Sequence, residues 1–224
     1  VLLRLLKQVF SRSQGAPAGA GKVRLQLADD TPCVLNVGGG SKSIRIPAHY
    51  NGWQHLLLDV DPGGGVDLVC DARELLSQPS SLFDAVYCSH NLEHYYRHDA
   101  LRVLRGFLHV LKPDGFAEIR VPDIRLVMRA MLEQSLDIDD VLYQSGAGPI
   151  LVRDVIYGWH VEIERTGRDF YAHKTGFTAR SLAAILEYAG FAQVVSVPAI
   201  GVYEARALAF KQAPTEAQRA LLIP

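Results

Sequence analysis

The sequence predicts an α/β fold: a three-layer sandwich around a seven-stranded, mostly parallel sheet with an antiparallel last strand. Three observations predict it. Five short runs, at 33–37, 55–60, 66–70, 83–89 and 116–122, are continuously rich in Val, Leu and Ile, as strands covered on both faces are. A helical pattern lies between the fourth and fifth runs, the spacing of a crossover connection. The last two runs, 191–197 and 202–210, are separated only by Pro198 to Gly201, too short for a crossover, so they pair antiparallel.

The elements follow in order. Residues 1–22 read as an N-terminal arm. Leu2, Leu5, Leu6 and Val9 share a helical face interrupted by Arg4, Lys7 and Arg12, and Ser13 to Lys22 is a Gly/Ala/Pro linker. Such a basic amphipathic helix packs on the domain, on a partner chain or peripherally on a membrane. Because the chain opens on Val1, some upstream sequence is expected to be missing. The domain itself is expected over 23–214. CVLNV (33–37) meets Gly38-Gly39-Gly40, HLLLDV (55–60) ends acidic, and VDLVC (66–70) precedes Asp71. After FDAVYCS (83–89), a helix from Asp99 to Leu111 carries a stripe of Leu101, Leu104, Leu108 and Leu111. Lys112-Pro113-Asp114-Gly115 ends it. FAEIRVP (116–122) is followed by a helix from Asp123 to about Leu136. The glycine-bearing stretch 137–177 has weak periodicity and reads as a lid-like insertion. Thr178 caps a helix through Tyr188 that Gly190 stops. Residues 215–224 form a tail.

Composition excludes several classes. Of 224 residues, 49% are apolar and 21% charged, the balance of a folded globular chain with one large core. With 23 basic and 24 acidic side chains there is no global field to hold a nucleic-acid backbone, and no added basic module is visible, so no nucleic-acid partner is expected. No apolar run reaches the roughly 20 residues of a membrane span. Cys33, Cys70 and Cys88 sit in or at the ends of apolar runs without metal or redox spacing, which predicts reduced thiols and a cytoplasmic location. No metal is expected: His90 and His94 are an i, i+4 pair without a supporting cluster.

The glycine turn carries the first chemical signal. In an open α/β sheet, ligands dock beyond the carboxyl end of the first strand, and Gly38-Gly39-Gly40 lets a ligand approach the backbone there. Asp59 follows 19 residues after Gly40, the position of a carboxylate that accepts ribose hydroxyls; Asp61 competes for that role. A dinucleotide fingerprint would need a third glycine where Ser43 stands, and Ile44-Arg45-Ile46-Pro47 disfavours the helix a pyrophosphate requires. A phosphate-free nucleoside fits better, with S-adenosylmethionine the candidate and a nicotinamide-dependent oxidoreductase the alternative.

The segments VLNVGGG (34–40), LLLDVDP (56–62), VDLVCDARELL (66–76), FDAVYCSHNLEHY (83–95), VLKPDGFAEIRVPD (110–123) and HKTGFTARSLAAILEYAGF (173–191) stand in order. With them the chain resembles the class I S-adenosylmethionine-dependent methyltransferases, of the group with Glu-His after the fourth strand and a Rossmann-like fold. The resemblance implies that Gly38, Gly39 and Gly40 lie against the methionine part of the cofactor S-adenosyl-L-methionine, with Asn36 where the family usually has an acid. It implies Asp59 at the ribose, Asp71 with the backbone of Ala72 at the adenine, and Ser89 and His90 near the sulfonium. Leu92 would pack nearby, and Glu93 and His94 either hold the turn or do chemistry.

Methyl transfer is an in-line displacement, and a hydroxyl nucleophile benefits from a base titrating near neutrality. His90 is the candidate base by position, with His160 and His173 weaker candidates beside the insertion. Tyr157, Trp159, Phe170, Tyr171 and Phe177 either pack the lid or line an acceptor pocket; Tyr157, Trp159, His173 and Phe177 are the residues assigned to that pocket. The expected activity is methyl transfer to a small-molecule or glycan-type acceptor, at oxygen. A non-catalytic cofactor-binding module is the further alternative, kept open by Asn36 and the shortened first helix.

Overall fold

The computed structural model describes residues 30–146 and 148–223. The helix and linker expected over 1–22, and any membrane contact they make, lie outside the described residues. Five parallel strands come first: β1 (Cys33–Val37), β2 (Gln54–Asp59), β3 (Leu68–Val69), β4 (Phe83–Ser89) and β5 (Leu111–Pro122). A separate hairpin, β6 (Val141–Ser145) and β7 (Gly148–Leu151), lies in the insertion. With β8 (Gln193–Val197) and β9 (Glu204–Phe210), the main sheet has seven strands in the order β3-β2-β1-β4-β5-β9-β8, and β9 alone runs antiparallel. The expected architecture is present.

Strand order reverses at β1, which pairs with β2 on one side and β4 on the other. The carboxyl ends of β1 and β4 therefore diverge around a crevice, the place where ligands enter open α/β sheets.

All five β1 residues are buried, and they alternate between two cores. Cys33, Leu35 and Val37 join the face covered by α1 (Arg97–Val110) and a later helix, Ala179–Ala189. Val34 joins Ala85, Tyr87, Phe116, Leu208 and Phe210 on the opposite face. The α1 stripe is Ala100, Val103, Leu104, Phe107 and Val110, rotated by about one residue from the expected leucines; Leu101 and Leu108 are only partly buried. Leu111 leaves the helix to begin β5. The expected Lys112–Gly115 turn loops out of that strand opposite Asp84, since pairing jumps from Phe83–Leu111 to Ala85–Phe116. β3 is shorter than its apolar run because the Asp67 carboxylate, not a strand carbonyl, takes the Leu57 N–H at 2.7 Å.

The second face carries no long helix among the described residues between β1 and β2; a single turn, Ala48–Tyr50, stands there. In place of a tail, α6 (Glu216–Leu222) buries Leu222 on the same face. The intervening helices are α2 (Ile124–Gln134), α3 (Val152–Tyr157), α4 (His160–Thr166) and α5 (Ala179–Ala189). α2 starts at its Asp123 cap, and α5 at Thr178 with Gly190 closing it, as expected. Thr215 and Gln218 form a reciprocal capping box at α6, at 3.2 and 2.9 Å. Thr215→Ala is expected to lower stability by about 1 kcal/mol. Calorimetry should show it as a drop of about 2–4 °C in Tm.

A cleft at the carboxyl ends of β1 and β4

The glycine turn after β1 is held by β2. Gly38 N–H donates to Leu58 O at 2.8 Å, and Gly40 N–H donates to the Asp59 carboxylate at 3.1 Å. Gly38 has φ +70°, and a Cβ there would fall 2.1 Å from the Asn91 amide, so backbone conformation and space both demand glycine. At Gly39 a Cβ would strike the Asn36 amide at 2.3 Å. Asn36 points away from the cleft: it is buried beneath the turn and its amide meets His55 Nε2 at 3.2 Å. It supports the glycines rather than lining the site, because alternation along β1 sends it to the far face.

Gly38, Asp59 and Asp71 line one cleft of about 370 Å³, a volume suited to a small organic ligand. Leu58, Val60 and Cys70 supply its apolar wall. One Asp59 oxygen accepts from Gly40 and the other from Asp61 N–H at 3.1 Å, so each keeps acceptor capacity. Asp61 instead pairs on the surface with Arg168 at 3.0 Å. Asp71 caps the turn Ala72–Ser77 through Arg73 N–H and binds the Arg73 guanidinium at 2.7 Å. Burial pushes the Asp71 carboxyl up, but the bonds from Arg73 prevail and hold it below the usual range. Ala72 is fully buried behind this turn.

Around β4 the geometry changes the expected roles. His90 turns the chain with φ +50°. Its Nε2 lies 3.1 Å from Glu204 and its Nδ1 3.7 Å from Glu93. Burial pulls its pKa down, but the hydrogen bond to Glu204 and the nearby negative charge of Glu93 outweigh that and raise it to about 9. With its Nε2 committed to Glu204, the His90 ring is turned away from the cleft, where a base would have to meet the acceptor. Neither His90 nor Ser89 is among the residues lining the cleft; Asn91, His94 and Tyr95 are.

Insertion residues divide likewise. Asp169, Phe170 and Lys174 line the cleft. Phe177 is 2% exposed in the main core, so it is a packing residue rather than an acceptor contact. Tyr157 and Trp159 are exposed, Trp159 edge-on to Tyr171, and neither reaches the cleft lining. The His160 ring bonds Asp154. His173 stands edge-on to His94 with ring centroids 4.8 Å apart, and burial lowers its pKa. Arg73, Asn91 and Lys174 are cleft residues the sequence reading passed over. Asn91 was legible as the neighbour of Ser89 and His90 at the β4 exit; Lys174 carried no local signal.

The residues present fit a cationic nucleoside. Four carboxylates, of Asp59, Asp71, Asp99 and Asp169, face two cations, Arg73 and Lys174, giving a negative field. The buried Asn91 Oδ1 has no hydrogen-bond partner, an acceptor suited to an ammonium beside the glycine turn. A dinucleotide fits poorly: among the described residues no α-helix N-terminus follows Gly40 to hold a pyrophosphate.

A family model described as a methyltransferase domain matches residues 10–197. Among solved structures, the PH0226 protein of Pyrococcus horikoshii OT3 is 14% identical with a TM-score of 0.54, covering 80% of this chain and 82% of that one. The CMeT domain of the citrinin polyketide synthase is 13% identical with a TM-score of 0.50, over 85% of this chain and 49% of that one. A SAM dependent methyltransferase from Archaeoglobus fulgidus is 16% identical with a TM-score of 0.48, over 81% of this chain and 86% of that one. No curated protein sequence matches the chain.

Proposed function

The chain belongs to the methyltransferase-domain family and is an S-adenosylmethionine-dependent methyltransferase. On that premise we propose that it methylates an oxygen of a small-molecule or glycan-type acceptor. The observation that carries the cofactor placement is the convergence of Gly38, Asp59 and Asp71 on one negatively charged cleft at the point where strand order reverses. When bound, S-adenosylmethionine supplies a methyl group already activated on a sulfonium. Asp59 would hold the ribose hydroxyls, Leu58, Val60 and Cys70 the adenine, and Gly38 with Asn91 the amino-acid part.

Support for the acceptor class lies at the rim. Phe170 and Tyr96 line the cleft and are 53% and 55% exposed. Bare aromatic faces suit the stacking of a planar or sugar ring. The insertion, about 137–177, supplies Phe170 and Lys174 and would cover the acceptor and exclude water. Among the described residues no helix is long and apolar enough to cross a membrane. Cys33, Cys70 and Cys88 are free thiols, which supports a cytoplasmic location.

Thermal scanning with S-adenosylmethionine or S-adenosylhomocysteine is expected to raise Tm, by the equivalent of about 2.7 kcal/mol at a hundredfold excess over Kd. NAD and NADP should leave it unchanged. A shift with the nicotinamide pair alone would overturn the assignment. Radiolabelled methyl transfer to a panel of phenols, sugars and amines then decides the acceptor atom.

A further inference from the structure

Behind the cleft, the fold assembles a cluster that the local sequence gives no hint of. Backbone bonds from Lys174 N–H (2.8 Å) and Thr175 N–H (3.1 Å) to Glu93 O fasten the end of the insertion to the turn Leu92–His94. This brings His173 beside His94 and over Glu93. Each imidazole is oriented by a backbone carbonyl. His94 Nδ1 lies 3.1 Å from Ala172 O, and His173 Nδ1 lies 2.9 Å from Val155 O. A carbonyl oxygen only accepts, so both Nδ1 atoms carry a proton, and in the neutral imidazole each Nε2 keeps the lone pair a metal needs. His173 Nε2 stands 4.0 Å from Glu93 Oε1. Glu93 is 2% exposed, and neither of its carboxylate oxygens has a hydrogen-bond partner. A buried carboxylate without bonds is costly unless something charged completes it. The nearest cation is His90, whose Nδ1 is 3.7 Å from the same Oε1, outside hydrogen-bonding range.

We infer that Glu93, His94 and His173 form a binding site for a divalent transition metal, a two-histidine, one-carboxylate set bordering the cleft. Three features support it. The donor atoms lie within 4.8 Å of one another. Ligands about 2.1 Å from one ion stand roughly 3–4 Å apart, so side-chain shifts of about 1 Å close the set. The carbonyl bonds at both Nδ1 atoms are the outer contacts that fix ligating histidines. Imidazole donors favour zinc, copper, iron or nickel over magnesium, calcium or manganese. His94 also lines the cleft, so the set borders the space left for the acceptor. The metal site stands on its own geometry. Its use in holding an acceptor oxygen rests on the proposed methyl transfer.

The test uses chelator-stripped full chain titrated with Co²⁺, read by visible absorption and calorimetry, with Zn²⁺ as competitor. One saturable equivalent with a cobalt–histidine spectrum is expected. Because losing an outer contact alone weakens metal affinity about 10–100-fold, His94→Ala and His173→Ala should each weaken cobalt binding at least about 100-fold. S-adenosylhomocysteine binding to His173→Ala, measured on the same samples, should stay unchanged. Should a variant fail to fold, the wild-type titration still decides. Absence of saturable cobalt binding in the wild type overturns the site, as does undiminished binding in both folded variants. Metal binding without S-adenosylhomocysteine binding would instead sink the cofactor assignment and leave the site standing.

Discussion

Asp59→Ala is expected to weaken S-adenosylhomocysteine binding about 100-fold, read by calorimetry. A hydrogen bond to a charged group contributes about 1.5–3 kcal/mol, and about 3 kcal/mol corresponds to roughly 100-fold in Kd. Asp59 is positioned for this because its two oxygens are each engaged by only one N–H, of Gly40 and of Asp61. Those bonds fix the carboxylate against the glycine turn and leave its remaining lone pairs toward the cleft. Asp59→Asn keeps a carbonyl oxygen for the turn but loses the charge, so it should fall between, at about tenfold. Asp61→Ala is the discriminating control. Asp61 and its partner Arg168 are both exposed, and such pairs contribute little. Its binding should stay within about threefold of the parent chain. The opposite pattern, loss at Asp61 and retention at Asp59, would move the ribose contact two residues on.

How far the sequence carried this reading depends on the range of each signal. The strands β1, β2 and β4 were legible as continuous apolar runs because burial on both faces leaves no polar alternation. Asp59 and Gly38 were legible because a strand end and a glycine turn are local features. α6 was missed because its seven residues carry a weak apolar stripe, though Thr215 and Gln218 spelled its cap. Sequence offers Phe177 as a pocket aromatic, yet it packs in the core, because sequence gives the type of a ring but not the direction it faces. Position alone suggests His90 as a base, because its partner Glu204 lies 114 residues away and becomes a neighbour only through the pairing of β5 with β9. The same distance problem hid the partner of His94: His173 arrives from the insertion, through backbone bonds that no motif encodes. Local conformation was therefore readable, whereas every charge state set across the sheet was not.

Glu204 is the residue where that cross-sheet charge has the largest expected effect on stability. It is 3% exposed at the start of β9 and joins three elements. It accepts from Arg120 of β5 at 2.6 Å, from His90 after β4 at 3.1 Å, and from the Ile200 N–H at 3.2 Å. Burial alone would raise its pKa, but the bonds from His90 and Arg120 prevail and lower it from 4.5 to about 2. A depressed carboxylate pKa stabilises the fold above the unfolded-state value, and that stability is lost as pH falls toward the folded-state value. About 3 kcal/mol is therefore expected to disappear between pH 4.5 and about 2. His90 works with the opposite sign. Its pKa is raised from 6.5 to about 9, so its contribution is complete below 6.5 and lost as pH rises through 9. Stability from this network should be greatest between pH 4.5 and 6.5. Glu204→Gln leaves the largely enclosed Arg120 without its counter-charge and is expected to cost about 3 kcal/mol. The corresponding drop in Tm near neutral pH is about 10 °C. Calorimetry across the pH range provides the check: the variant should lose most of the acid limb, since the titrating group is gone, and part of the alkaline one, since Glu93 still faces His90. A variant whose curve runs parallel to that of the parent chain would place the acid sensitivity on other carboxylates, Glu118 first, whose bonds from His49 and Arg206 also hold it below the ordinary range against its burial.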